Sequence, residues 1–323
     1  MSDQKGTRGL TFPDVDALLE FVTRRWREHW VLTDINSAGI LDRLLCRPYF
    51  LLISVDAPVL LRYARFSERC SLRSIQTPPL STFLSWSDHD LYSPSSSKLV
   101  SLIINHSSLR VLNSFTTIES FYSLLASLNI SSASRLRPPW DHYFMRLATL
   151  ASMRSNCMKR RVGAVLVREA RVISTGYNGT PRHLTNCNEG GCARCNLGSS
   201  GGASLNTCLC IHAEENALLE AGRDRVGPGG ATLYCDTCPC LTCAVKIVQV
   251  GIEEVVYAQG YNMDQETARI LGEGGVKLRQ FMPERSGLVA LGDSEDQRLI
   301  TDHEQGGSNA ETITQPQEEA SPR

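Results

Sequence analysis

The chain has 323 residues, long enough for one large or two ordinary domains at ~100–200 residues each, and two is the expectation. Its formal net charge of −1 gives no electrostatic footprint for a long polyanion, which argues against DNA or RNA as partner and for a small-molecule ligand. No apolar run approaches the ~18 residues of a membrane span, and Met1–Thr11 lacks the charged-then-apolar order of a signal peptide, so the expectation is no membrane and a cytoplasmic location, with the nucleus also open.

The first third reads as an α/β region. A helical stretch is expected around Asp14–Trp30 and a buried strand at Tyr49–Val55, followed by Asp56-Ala57-Pro58. Ser67 to Lys98, with Pro78-Pro79 and Ser93-Pro94-Ser95-Ser96-Ser97, reads as a loop or mobile segment. A strand-like stretch at Val100–Leu112 and a helix at Ile118–Leu128 follow, and Pro138-Pro139 sets the boundary of a region spanning 1–137. In the second region, 138–285, Trp140–Asn156 has helical spacing, and Val162–Val167 with Val172–Tyr177 read as a hairpin. A helix at His212–Ala221 ended by Gly222, a strand at Ala231–Cys235 and a helix at Cys240–Val250 ended by Gly251 come next. A strand at Glu254–Ala258, a helix at Thr267–Leu271 and a strand at Val276–Arg279 complete a mixed sheet covered by helices on both faces. Ser286–Arg323 is acidic and poor in large apolar residues, and is expected to be a disordered tail.

The chain has twelve cysteines, and ten lie between Cys157 and Cys243. In a reducing compartment such clusters are ligands or nucleophiles more often than disulfides. His212-Ala213-Glu214 and, one strand later, Pro239-Cys240-Leu241-Thr242-Cys243 form the H-x-E…P-C-x-x-C pattern of zinc deaminases. Cys240 and Cys243 share a face at a helix start, where the macrodipole favours thiolates. With His212 they make three ligands and leave a fourth position open, as catalytic zinc requires. Glu214 can then act as acid and base. A closed structural site, with Glu214 an ordinary carboxylate, is the bland alternative. Cys235 and Cys238 form a competing C-x-x-C that reads as buried thiols or ligands.

Gly176-Tyr177-Asn178-Gly179-Thr180-Pro181 ends a strand and is by itself a turn. Taken with HAEENA at His212–Ala217 and the PCLTC stretch, it makes the run from Trp140 to about Gln280 resemble the deoxycytidylate deaminases, the fungal form closely. The resemblance implies hydrolysis of dCMP to dUMP, feeding dTMP synthesis, on a three-layer α/β/α cytidine-deaminase-like fold. It also implies a homo-oligomer, often a hexamer, with activation by dCTP and inhibition by dTTP. Among site residues it implies a deoxyribose contact by Asn178 and substrate contacts at Ala213 and Asn216, the last of which also reads as a packing residue.

Cys187, Cys192, Cys195, Cys208 and Cys210 lie in a Gly/Ser/Asn-rich loop with little apolar material, which points to a second, structural zinc, a redox cluster or unligated thiols. Lys159-Arg160-Arg161, and Arg223 with Arg225, are basic spots that suit a phosphate or plain solvent. Arg47–Arg65 and Leu109–Leu128 resemble parts of a P-loop nucleotide or dephospho-coenzyme A kinase. No G-x-x-x-x-G-K-[ST] occurs, so the region 1–137 reads as a degenerate kinase-like unit without a phosphate cradle. Three other readings fit parts of the pattern: a deaminase of polynucleotides, a free-base or pterin-pathway deaminase, and a non-catalytic zinc-stabilised module.

Overall fold

The computed structural model describes residues 9–93, 98–196, 208–226, 230–260, 265–283 and 287–290. Two compact units divide the chain, one from Arg137 to Glu284 and one formed by Met1–Leu136 together with Arg285–Arg323. Among the described residues, no helix is long and apolar enough to cross a membrane.

The first unit contains α1 (Val15–Thr23), α2 (Ala38–Leu45), β1 (Ile53–Asp56), α3 (Val59–Leu72), α4 (Leu80–Tyr92), α5 (Leu99–His106), β2 (Leu109–Leu112) and α6 (Ile118–Ser127). Leu109, Val111, Phe115, Leu124 and Leu128 form its buried cluster. The strand expected at Tyr49–Val55 is confined to Ile53–Asp56 and is not fully buried, with Val55 exposed.

Up to Tyr92 the serine-rich stretch is a loop only at residues 73–79; on either side it is helical, α3 running to Leu72 and α4 from Leu80 to Tyr92. Pro79 stands at the start of α4, where its missing N–H costs nothing. Phe83 packs on Tyr63 and Phe66 of α3, with ring centroids 5.5 and 5.3 Å apart. Ser67 and Ser85 donate their hydroxyls to carbonyls one turn back, at 2.9 and 3.1 Å, so serine is tolerated inside these helices. Pro94–Ser97 lie outside the described residues. The strand expected at Val100–Leu112 divides into α5 and the four residues of β2, because a short apolar run has no periodicity that separates buried helix from buried strand.

Gly287–Ala290 also departs from expectation, forming β8 rather than disordered tail; residues 291–323 lie outside the described set. β8 pairs in parallel with β2, Leu109 opposite Gly287, and β1 pairs in parallel on the other edge of β2. Even a four-residue run can complete a sheet where an edge offers unpaired amides and carbonyls.

The second unit runs α7 (Trp140–Ser152), β3 (Gly163–Arg168), β4 (Arg171–Tyr177), α8 (Ala193–Asn196), α9 (Ala213–Val226), β5 (Thr232–Thr237), α10 (Leu241–Val250), β6 (Glu254–Gln259), α11 (Gln265–Glu273) and β7 (Lys277–Gln280). Among the described residues its sheet has the order β4-β3-β5-β6-β7. β3 is antiparallel to β4 and β5, and the remaining pairs are parallel, which makes the sheet mixed. The hairpin between β3 and β4 turns at Glu169 and Ala170, both at positive φ.

Alternation along β3 sorts the layers. Val165 and Val167 pack with Phe144, Met145 and Ala148 of α7, while Ala164 and Leu166 pack with Ala217, Ala244 and Leu271 of α9, α10 and α11. The result is the three-layer α/β/α arrangement. As expected, Gly222 interrupts α9 with a non-helical backbone (φ 65°, ψ 159°); a short second helical piece runs on to Val226, where Arg168 Nη1 donates to the Arg225 and Val226 carbonyls at 3.0 and 3.2 Å.

Candidate metal centre and catalytic pocket

α9 and α10 both begin at one end of the sheet. Ile211 pairs with Gly179 through two backbone hydrogen bonds of 2.9 and 3.2 Å, which ties the turn after β4 to the residue before His212. The His212 carbonyl accepts from the Asn216 amide at 2.9 Å, opening α9. Cys240 is the N-cap of α10 rather than part of its first turn, and its carbonyl accepts from Ala244 at 2.9 Å. Lys246 of α10 and Glu215 of α9 form an ion pair of 2.7 Å that joins the two helices.

His212 Nδ1 lies 3.3 Å from Cys240 Sγ and 3.4 Å from Cys243 Sγ, and the three ligand atoms all fall within 4.8 Å of one another. Zinc with sulfur at ~2.3 Å and nitrogen at ~2.0–2.1 Å leaves tetrahedral S and N ligands ~3.5 Å apart, so donor set and spacing both fit that ion. The Cys243 thiol, then His212 and Thr242, hydrogen-bond to Cys240 and hold its thiol down to about 3. Sharing that proton with Cys240, reinforced by burial, pushes Cys243 up. The contact with Cys240 raises His212 above its ordinary value.

Glu214 is 4 % exposed, and burial lifts its carboxyl to about 7. A carboxyl poised there can both accept and donate a proton at neutral pH. Asp236, unremarked in the sequence, faces the same region. Its Oδ2 accepts from the Gly163 amide at 3.1 Å, and burial raises its pKa. Cys235 and Cys238 are buried at the end of β5 and its turn, outside the His212 ligand group.

Asn178 is buried, and its side chain holds three protein groups. Oδ1 accepts from the Val162 amide at 2.8 Å and the Ser155 hydroxyl at 2.7 Å, and Nδ2 donates to the Arg160 carbonyl at 2.7 Å. Asn216 Nδ2 donates to the Tyr177 carbonyl at 2.9 Å, and Ala213 is fully buried. Both asparagines therefore fix the β4 turn against its surroundings. Of the basic spots, Arg160 Nη2 donates to Thr237 and Gln259 at 3.0 and 3.3 Å, at the ends of β5 and β6. Arg225 donates to the Ile173 carbonyl of β4.

The loop cysteines Cys187, Cys192, Cys195, Cys208 and Cys210 come together, and Cys157 joins them. Cys157 escapes the sequence reading because it stands thirty residues before Cys187; its only signal is that it begins the cysteine-dense segment.

Residues 138–259 match the cytidine and deoxycytidylate deaminase zinc-binding region. The deoxycytidylate deaminase of Schizosaccharomyces pombe is 50% identical over 287 residues, covering 87% of this chain and 86% of its own. That of Saccharomyces cerevisiae is 48% identical over 275 residues, covering 82% and 85%. A crystal structure of dCMP deaminase from the cyanophage S-TIM5 in complex with dCMP and dUMP shares 29% identity, covers 45% of this chain and 98% of its own, and superposes with a TM-score of 0.37. The mixed sheet and the matched zinc-binding region define a metal-dependent deaminase. Within that class, the chain belongs to the deoxycytidylate deaminases, zinc-dependent hydrolases.

Proposed function

We propose that the protein hydrolyses dCMP to dUMP and ammonia, with His212, Cys240 and Cys243 holding a catalytic zinc and Glu214 moving the protons. The observation that carries this reading is a buried carboxyl two residues from His212, raised to about 7, next to three donors spaced for zinc. Two fungal deoxycytidylate deaminases at 48–50% identity over most of the chain support the substrate. Zinc in such a site lowers the pKa of water towards ~7. Glu214 takes the proton of the attacking water and passes it to the ring nitrogen beside C4. Water oxygen bonds to C4, Glu214 then takes the second proton from the resulting C4 hydroxyl and delivers it to the amine, and the C4–N bond breaks as the C4 carbonyl forms, so one water is consumed for each ammonia released.

Asn178, Ala213 and Asn216 contribute the substrate side, with Asn178 facing the deoxyribose through the rigid β4 turn. The cysteine cluster holds zinc apart from this centre in a structural role. dCTP activates and dTTP inhibits a homo-oligomeric enzyme, and the first unit is a kinase-like remnant without phosphate-transfer activity. Incubation with dCMP, CMP, deoxycytidine and cytosine, followed by the ultraviolet change on deamination, tests the substrate; equal or faster turnover of cytosine or deoxycytidine refutes it. Kinetics at low dCMP with and without dCTP or dTTP test regulation, and hyperbolic curves untouched by either refute it.

A further inference from the structure

All twelve cysteines are free, and six of them gather away from the His212 site. Among the described residues, three of the six are buried and three half-buried, packed against one another with no other apolar side chain in their cluster, so ordinary core packing does not account for their burial. Their sulfurs fall into two groups of four, each with every ligand atom within 4.8 Å: Cys157, Cys187, Cys195 and Cys210, and then Cys192, Cys195, Cys208 and Cys210. Cys195 and Cys210 belong to both.

The separations between sulfurs are informative. Cys157 to Cys195 is 3.7 Å, and Cys192 to Cys208, Cys195 to Cys208 and Cys195 to Cys210 are each 3.9 Å. These are far longer than the ~2.05 Å of a disulfide. They match the ~3.8 Å edge of a tetrahedron of sulfurs ~2.3 Å from zinc. Edges of that length occur in both groups, and the Cys195–Cys210 edge is common to them. A single ion in either group would leave one buried and one half-buried thiol of the other without a role, Cys192 with Cys208 or Cys187 with Cys157.

Resting on the reading of this cluster as a zinc site, we propose that it binds two zinc ions in edge-sharing thiolate tetrahedra, with Cys195 and Cys210 bridging both. Six thiolates against two dipositive ions leave two negative charges, and N–H donors to sulfur offset part of that. The Met158 amide donates to Cys187 Sγ at 3.4 Å and Asn196 Nδ2 at 3.8 Å. The cluster draws together three separate segments: Cys157 ahead of β3, the Cys187–Cys195 stretch, and Cys208 with Cys210. Cys210 stands two residues before His212, and Ile211 between them pairs with Gly179. The metal pair thereby sets the entry to α9.

Zinc is counted per chain by elemental analysis of the full-length protein after dialysis against a weak chelator. Three ions are expected. Cys157→Ala with Cys187→Ala should lower the count by one, and so should Cys192→Ala with Cys208→Ala, since each pair empties one tetrahedron and spares the other. A wild-type count of two overturns the shared cluster while keeping a zinc there; a count of one overturns both. One pair without effect and the other removing all cluster zinc also overturns it. Because either double variant could misfold, cadmium NMR of the cadmium-loaded wild type provides a second reading. Two cluster resonances coupled to each other through shared sulfurs are expected, and a single or uncoupled cluster resonance overturns the proposal.

Discussion

Alanine at Gly176 tests whether the packing of α9 on β4 holds the catalytic residues in place. A Cβ there would lie 2.1 Å from the Ala213 carbonyl oxygen, 2.5 Å from the Ala217 amide nitrogen and 2.9 Å from Ala217 Cβ. Two of these are backbone atoms of α9, so no rotamer change relieves them. Restoring ordinary contacts near ~3.5 Å requires the helix to retreat by on the order of 1 Å. Overpacking of this kind costs ~1–3 kcal/mol. At ~3 kcal/mol, a unit of this size loses about 6–12 °C in Tm. Ala213 lies between His212 and Glu214, and misplacing catalytic groups by ~1 Å can cost ~10²-fold in rate. Gly272→Ala is the control: it lies in α11 with open space where a Cβ would go, and should be neutral or stabilise by ~0.4–1 kcal/mol. Thermal unfolding and kcat/KM for dCMP are measured on both variants. A Gly176→Ala protein with unchanged Tm and near-normal kcat/KM would refute the argument.

Glu214→Gln should keep its zinc by elemental analysis and lose ~10²–10⁴-fold or more in kcat, and turnover within tenfold of wild type would assign proton transfer to another group. Asn178→Ala removes the side-chain partner of the Val162 amide and the Arg160 carbonyl, at ~1–3 kcal/mol for each such group, while the Ser155 hydroxyl keeps the residue-178 backbone carbonyl at 2.7 Å. Its Tm should fall by several degrees and its KM for dCMP should rise; an unchanged Tm contradicts the hydrogen-bonding role. The Arg279 guanidinium donates to Asp141 at 2.7 Å and holds that carboxyl below its ordinary value. Stability from this pair is present above ~pH 4, the unfolded value, and is lost as pH falls through the lower folded value. Both groups are partly exposed, so Arg279→Gln should cost only about 1 kcal/mol at pH 7 and flatten the acid end of the stability curve. An identical acid profile in the variant argues against the pair.

Much of the proposed catalytic centre could be read along the chain because its geometry is local. His212 and Glu214 are two residues apart at one helix start, Cys240 and Cys243 three apart at another, and such spacing fixes direction once the helices form. The hairpin, the Gly251 cap at φ 88° and the alternation of β3 were legible for the same reason. In the first unit, composition misled: serine and proline read as loop between Ser67 and Lys98, yet two helices form there through aromatic contacts that only the fold supplies. The strand Gly287–Ala290 exists only because β2, far back in sequence, offers it an edge. Asn178 was visible as a turn residue, but the three groups that its side chain holds are brought to it by β3 and the end of α7. Cys157 joins the loop cysteines across thirty residues, and the sharing of Cys195 and Cys210 between two sulfur groups is a matter of distances in space. Spacing along a chain determines what one turn of helix or one strand presents; which separate segments meet depends on how the buried faces pack.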